Sequence, residues 1–340
     1  MAMISRKVQQ VGGGSFIVSL PKSWADKVGL EKGSSVSMAE GIANTLIIYP
    51  PAKKLSPEQT IVLDFSDPIR SLGELVGSYL RGFDLIKVKS KGRIDPKMRN
   101  DLKSVIEKLP GLEIVEESSS EISLQCILNP SAINPKKLLE RMFKLSKGMV
   151  HDSIQSILSA DKKLAQLVIA RDDEMDRTYF LLVRSVRKAM QEPEFAVQYG
   201  LHPIDLLDFR VAGMLIEGIG DKSADISTNW LDVGAPKIED EGYEILEAAK
   251  RLEKLQEESM ISFLEQRPRM SIDVRQVASE MRSFLSELER SSFSKPLEEA
   301  RFLQHLGSVM REIARSCLDI LDLLVPSYGS DPRGQGLKLI

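Results

Sequence analysis

Asp172 and Asp176 stand four residues apart, and Glu217, Asp221 and Asp225 repeat that spacing further along the chain. Residues four apart share one face of a helix. If the two segments are antiparallel neighbours, four or five carboxylates come together. Hard oxygen donors of this kind suit a divalent or trivalent ion such as Mg, Ca, Mn or Fe, and they accept Zn. Without a cation the group repels itself. The plainer alternative is a solvated acidic face partly neutralised by Arg171, Arg177, Arg210 and Lys222. Spacing alone favours that alternative.

The elements that must position these acids are helices. From Pro135 to Leu324 the apolar residues recur at helical spacing, and Pro and Gly are confined to breaks at Pro193, Gly200–Pro203, Gly234–Pro236, Pro268 and Pro296. Six amphipathic segments lie between the breaks, at about 136–159, 161–190, 203–230, 237–266, 271–291 and 296–325. Two sets of three predict a duplicated three-helix bundle, one copy at about 135–230 and the other at about 236–325. Leu215–Ile226 lies over Phe302–Ile313, so Gly220 matches Gly307, and both are expected to let a neighbouring helix approach. Gln304 and Ser308 then stand where Glu217 and Asp221 stand, and the second copy should lack the acidic site.

The stretch Glu217-Gly218-Ile219-Gly220-Asp221-Lys222-Ser223-Ala224-Asp225-Ile226 is similar to the Glu-Arg-Ile-Gly-Asp-His-Ala-x-Asn-Ile helix of the PhoU family. Asp172 to Tyr179 resembles that family's Asp-x-x-Val-Asp-x-x-Tyr helix. The likeness runs over roughly 136–325 and is weaker in the second bundle. It implies tandem three-helix bundles that regulate phosphate uptake and hold metal ions on their surface. The ligands would be Asp172, Asp176, Glu217, Asp221 and Asp225. Lys222 replaces the family's histidine and Asp225 its asparagine, so the metal or its occupancy is expected to differ.

Between 58 and 130 the order is strand, helix, strand, helix, strand, strand: 60–65, 69–82, 85–89, 96–109, 112–115 and 122–128, with a polar turn at Glu116–Glu121. This predicts a small α/β sandwich, with a ferredoxin-like arrangement as one form. It carries no phosphate-cradling glycine pattern and no cluster of catalytic side chains. A spacer or dimerisation role is the plainer reading, ligand sensing the other.

Residues 1–52 are built differently. Arg6–Gln10 and Phe16–Leu20 are β-prone and flank the turn Gly12-Gly13-Gly14. Pro21 opens one helical turn over Ser23–Val28, and Gly29 closes it. Val36, Met38, Leu46, Ile47 and Ile48 form a last hairpin around Gly41–Asn44. So short a segment buries little on its own and calls for a partner. Arg6, Lys7, Lys22, Lys27 and Lys32 outnumber Asp26, Glu31 and Glu40, and Lys53-Lys54 follow, although the whole chain carries a formal net charge of −3. A local basic excess suits phosphate neutralisation on DNA; ordinary solvated charge is the alternative.

This pattern resembles the AbrB/MazE/SpoVT DNA-binding module across its length. The resemblance implies a swapped-hairpin half of a β-barrel that a second copy completes, hence a homodimer. It also implies DNA contacts from Arg6, Lys7, Ser15 and Lys22. Arg6 is the only arginine of the segment and the best candidate for bidentate guanine reading.

The chain of 340 residues is therefore expected to be multidomain α+β. It has no apolar run long enough for a membrane span and no signal-peptide core, so a cytoplasmic location is expected. Cys126 and Cys317 read as buried small residues, and His151, His202 and His305 form no metal or nucleophile motif, which leaves catalysis without support. The whole resembles archaeal phosphate-uptake regulators of the AbrB–PhoU type. The expected function is a DNA-binding transcription regulator of phosphate homeostasis, with DNA, a second copy and a phosphate transporter or signalling protein as partners. The alternatives are an adaptor whose N-terminal module only dimerises, and a metal-dependent phosphohydrolase.

Overall fold

Proline and a preceding cap set where most long helices begin. The computed structural model describes residues 4–40, 45–50, 60–64, 66–129, 132–238, 240–266 and 270–324. Asp67, Asp95 and Asn134 each precede a proline and accept a hydrogen bond from a first-turn amide, at Arg70, Met98 and Lys136 respectively. Asp161 does the same for Lys163 and Leu164.

The chain divides into two compact units, one ending at Pro57 and one beginning at Glu58. In the first, β1 (Gln9–Val11) and β2 (Ser15–Ile17) pair antiparallel, Gln10 opposite Phe16, across a turn in which Gly12 has φ +65°. Helix α1 (Lys22–Val28) follows Pro21 and ends on Gly29 in the left-handed region. β3 (Ser37–Glu40) pairs with β4 (Leu46–Tyr49); the turn expected at 41–44 lies outside the described residues. Arg6–Val8, expected as strand, precede the pairing. Among its described residues this unit thus holds two separate two-stranded sheets and no closed barrel. No described residue of this unit is buried, and Phe16 is 72% exposed, Val8 63% and Met38 62%.

The second unit opens with the α/β layer: β5 (Thr60–Asp64), α2 (Pro68–Leu80), β6 (Leu85–Lys89), α3 (Pro96–Glu107), β7 (Leu112–Glu117) and β8 (Glu121–Cys126). Its sheet runs β5-β6-β8-β7, with β5 and β6 parallel and the other pairs antiparallel. This corrects the ferredoxin-like expectation, in which the hairpin lies between the two helices. Here the turn at Ser118–Ser120, where Ser118 Oγ accepts from the Glu121 amide at 2.9 Å, makes β7 and β8 neighbours at the end of the layer. Leu75, Tyr79, Ile86, Val88, Leu102 and Leu124 form the core.

The helical half comprises α4 (Pro135–Leu158), α5 (Lys162–Gln191), a short α6 (Pro193–Gln198) that was expected only as a break, α7 (Pro203–Asp232), α8 (Gly242–Glu265), α9 (Met270–Ser292) and α10 (Leu297–Leu321). The six expected long helices are all present. Gly220 sits against Met175, where a Cβ would lie 3.1 Å from Cγ, so α5 and α7 approach closely there. At Gly307 a Cβ would meet its neighbours at 3.9 Å, an ordinary contact, so that glycine is not required for close approach.

An ionic clamp with two buried basic side chains joins the α/β layer to α5. Asp84 lies between Arg184 Nη2 at 2.5 Å and Lys188 Nζ at 2.7 Å, with the two basic side chains 4% and 7% exposed. Arg184 Nη1 also donates to the Tyr79 and Phe83 carbonyls at 2.7 and 3.0 Å. Charges this dry hold only when both are paired and hydrogen-bonded.

Candidate functional site

Two α5 residues one turn apart and two α7 residues one turn apart face each other where Gly220 lets the helices close. Carboxylate oxygens of Asp176, Glu217 and Asp221 all lie within 4.8 Å of one another. Asp172 stands beside them, and its Oδ1 is buried without a hydrogen-bond partner. Burial and mutual repulsion keep protons on the group. Glu217 is pushed up to about 7, first by burial and then by Asp221, Asp176 and Asp172. Asp172 is pushed up to about 6 by burial, then by Asp221, Asp176 and Asp173. Burial also raises Asp176 and Asp221.

The four basic residues that might have made this an ordinary neutralised face are engaged elsewhere. Arg171 pairs with Asp152, and Arg177 donates to the Glu107 carbonyl. Arg210 stacks over Tyr179 at 5.0 Å, and Lys222 Nζ donates to the Gly218 carbonyl at 3.2 Å. Arg210 and Lys222 moderate Glu217 and Asp221 only through their field. Among the described residues, the cation in ion-pair reach of the cluster comes from the α/β layer: Lys108 Nζ lies 4.0 Å from Asp176 and 3.2 Å from Asp173.

Asp225, expected as a fifth ligand, is not brought into the group. Its Oδ2 lies 2.9 Å from His305 Nε2 on α10. One further helical turn carries it past α5 to the second bundle. Asp173 and Lys108 were missed by the sequence reading. Asp173 adjoins the motif and was visible there; Lys108 belongs to a different layer, and no spacing rule links it to α5.

The residues expected to meet DNA are all exposed. Arg6 and Lys7 lead into β1, Ser15 opens β2 across the glycine turn, and Lys22 opens α1.

Residues 139–229 match the PhoU domain model. The crystal structure of the phosphate transport system regulatory protein PhoU from Streptococcus pneumoniae is similar with a TM-score of 0.50 at 12% identity, over 56% of this chain and 91% of that one. The helical half is PhoU-like. PhoU from Pseudomonas aeruginosa gives a TM-score of 0.48 at 16% identity, over 57% and 95% of the two chains. Residues 9–56 match the model of MazE, a bacterial antitoxin, described as antidote-toxin recognition. No curated protein matches the chain.

Within the PhoU-like half the two bundles differ in charge. At the place in the second bundle that corresponds to the acidic cluster lies an open pocket of about 670 Å³ lined by Ser286, Glu289, Gln304, Ser308 and Arg311. Arg311 pairs with Glu289, and Gln304 Nε2 donates to Ser292 Oγ at 3.3 Å. There a guanidinium of the chain itself pairs with the acid that lines the pocket. Among the described residues no helix is long and apolar enough to cross a membrane.

Proposed function

We propose that this chain is a homodimeric DNA-binding regulator of phosphate homeostasis, with a PhoU-like half that senses and a MazE/AbrB-type module that reads DNA. The observation that carries the reading is the joining of these two domain types in one chain. The unburied N-terminal unit supports the homodimer, because exposed Phe16, Met38 and Val8 need a covering surface. The exposed Arg6, Lys7, Ser15 and Lys22 contact DNA, Arg6 reading a base and the lysines neutralising phosphates.

Asp176, Glu217, Asp221 and Asp172 hold a cation. Their all-oxygen donor set, the unpartnered Asp172 Oδ1 and the displaced basic residues fit a hard divalent or trivalent ion. Bound there, the ion supplies the positive charge that the cluster lacks. Asp225 contributes at most indirectly, since it faces His305. Any signal so received acts only if it favours one DNA-binding state over the other.

Two experiments test this. Binding of the full chain to its own upstream region and to phosphate-transporter promoters, against random DNA at two salt concentrations, should be selective and steeply salt-dependent. Weak, unselective binding overturns the regulator. The double change Asp176→Ala with Asp221→Ala should remove metal by elemental analysis; wild-type metal content would sink the site.

A second reading is favoured by the same exposed apolar surface. The N-terminal unit would serve only to dimerise the chain, and the PhoU-like half would act on a phosphate transporter or signalling partner by protein contact. Selective DNA binding separates the two.

A further inference from the structure

Lys108 ends α3 in the α/β layer, yet its ammonium lies among acids of α5. The same short face of α5 grips α3 twice. Asp173 and Asp176 take the Lys108 side chain, and Arg177 donates to the Glu107 carbonyl at the open end of the helix. The contacts differ in kind from the Asp84 clamp. Lys108 and Asp173 are 51% and 71% exposed, so their pairing is weak and exchangeable, whereas Arg184 and Lys188 are dry. The α/β layer is therefore fixed to the helical half at one end, and held at the other by a replaceable charge beside the Arg177 bond.

We propose that Lys108 is a built-in counter-ion of the acidic cluster that a bound metal cation displaces, so that metal loading loosens the α3 end of the α/β layer, which then keeps only the Arg177 bond to α5. The inference rests on the cation reading above. A cation held by Asp176, Glu217 and Asp221 draws on the carboxylate that Lys108 shares, and it repels an ammonium now 4.0 Å from Asp176. By linkage the effect is reciprocal: whatever removes Lys108 tightens metal binding, and metal loosens Lys108.

The test uses the full chain with Mn²⁺ as probe. Affinity is read from the electron paramagnetic resonance signal of free ion. Lys108→Gln should bind Mn²⁺ about two- to fivefold tighter than wild type, the range expected for removing one half-exposed opposing charge, and the gap should narrow at high salt. Lys108→Arg should keep wild-type affinity. In wild type, Mn²⁺ should raise hydrogen exchange in segment 103–112 and leave the segment around Asp84 unchanged. Equal or weaker binding by Lys108→Gln, or exchange in 103–112 that is unaltered or slowed by Mn²⁺, overturns the proposal while leaving the metal site standing. A wild-type chain that binds no Mn²⁺ removes both, and that result is read without any variant.

Discussion

Replacing Glu217 by Gln should stabilise the metal-free protein at pH 8 and do almost nothing at pH 5. Glu217 binds its proton more tightly in the folded chain than in the unfolded one, at about 7 against an ordinary 4.5. A carboxyl raised in this way costs nothing below its unfolded value, because both states hold the proton. The cost grows as pH rises from about 4.5 and is complete above about 7. At roughly 1.4 kcal/mol per tenfold change in proton affinity, the full shift would cost about 3 kcal/mol. Glu217 is only half-buried and its titration is shared with Asp172 and Asp221, so about 1–2 kcal/mol is the usable figure. In a chain of this size that amounts to a rise in Tm of about 2–6 °C at pH 8. Differential scanning fluorimetry of chelator-treated wild type and Glu217→Gln, from pH 4.5 to 8.5, reads it. Wild type should lose stability over that range and the variant should lose less. A variant that is less stable at pH 8, or equally altered at both ends of the range, would refute the repulsive cluster.

Other outcomes follow from the same structure. Arg6→Ala should weaken specific DNA binding by about 1–3 kcal/mol, measured by fluorescence anisotropy, while Lys22→Ala should weaken all sequences alike and flatten the salt dependence. Asp84→Ala removes the acid shared by buried Arg184 and Lys188, which keep the Tyr79 and Phe83 carbonyls and Glu192, and should cost about 1–3 kcal/mol in thermal or denaturant unfolding. Phe16→Asp should shift the chain from dimer toward monomer in analytical ultracentrifugation with its helical circular dichroism intact. If Phe16→Asp leaves the dimer unaltered, the N-terminal unit is not what joins the copies.

Much of the helical architecture was legible because apolar residues recur at helical spacing. The helices expected from apolar periodicity at 69–82, 96–109 and about 136–159 are present as Pro68–Leu80, Pro96–Glu107 and Pro135–Leu158, and the caps Asp67, Asp95 and Asn134 that start them emerge from the structure. The acidic cluster was legible through the four-residue spacing of Asp172 with Asp176 and Glu217 with Asp221. Periodicity failed at Asp225, since it says which face a residue takes but not which neighbour meets that face a turn later. It failed likewise for Lys108, because contacts between layers depend on how whole elements dock. The sheet order was misjudged in its ferredoxin-like form because strand pairing is decided by turn length and crossover, and apolar spacing reports neither.

The N-terminal unit has no buried side chain among its described residues. If its apolar side chains find cover in a second copy, as proposed above, folding and assembly of the unit become one event, second order in protein concentration. A chain without a mate would then lack the reader as well, and a single copy would have no means of binding half an operator. Occupancy of a promoter would climb more steeply than the amount of protein, and a modest fall in synthesis would be enough to clear the site. Such a regulator would have a threshold before any signal reached its helical half.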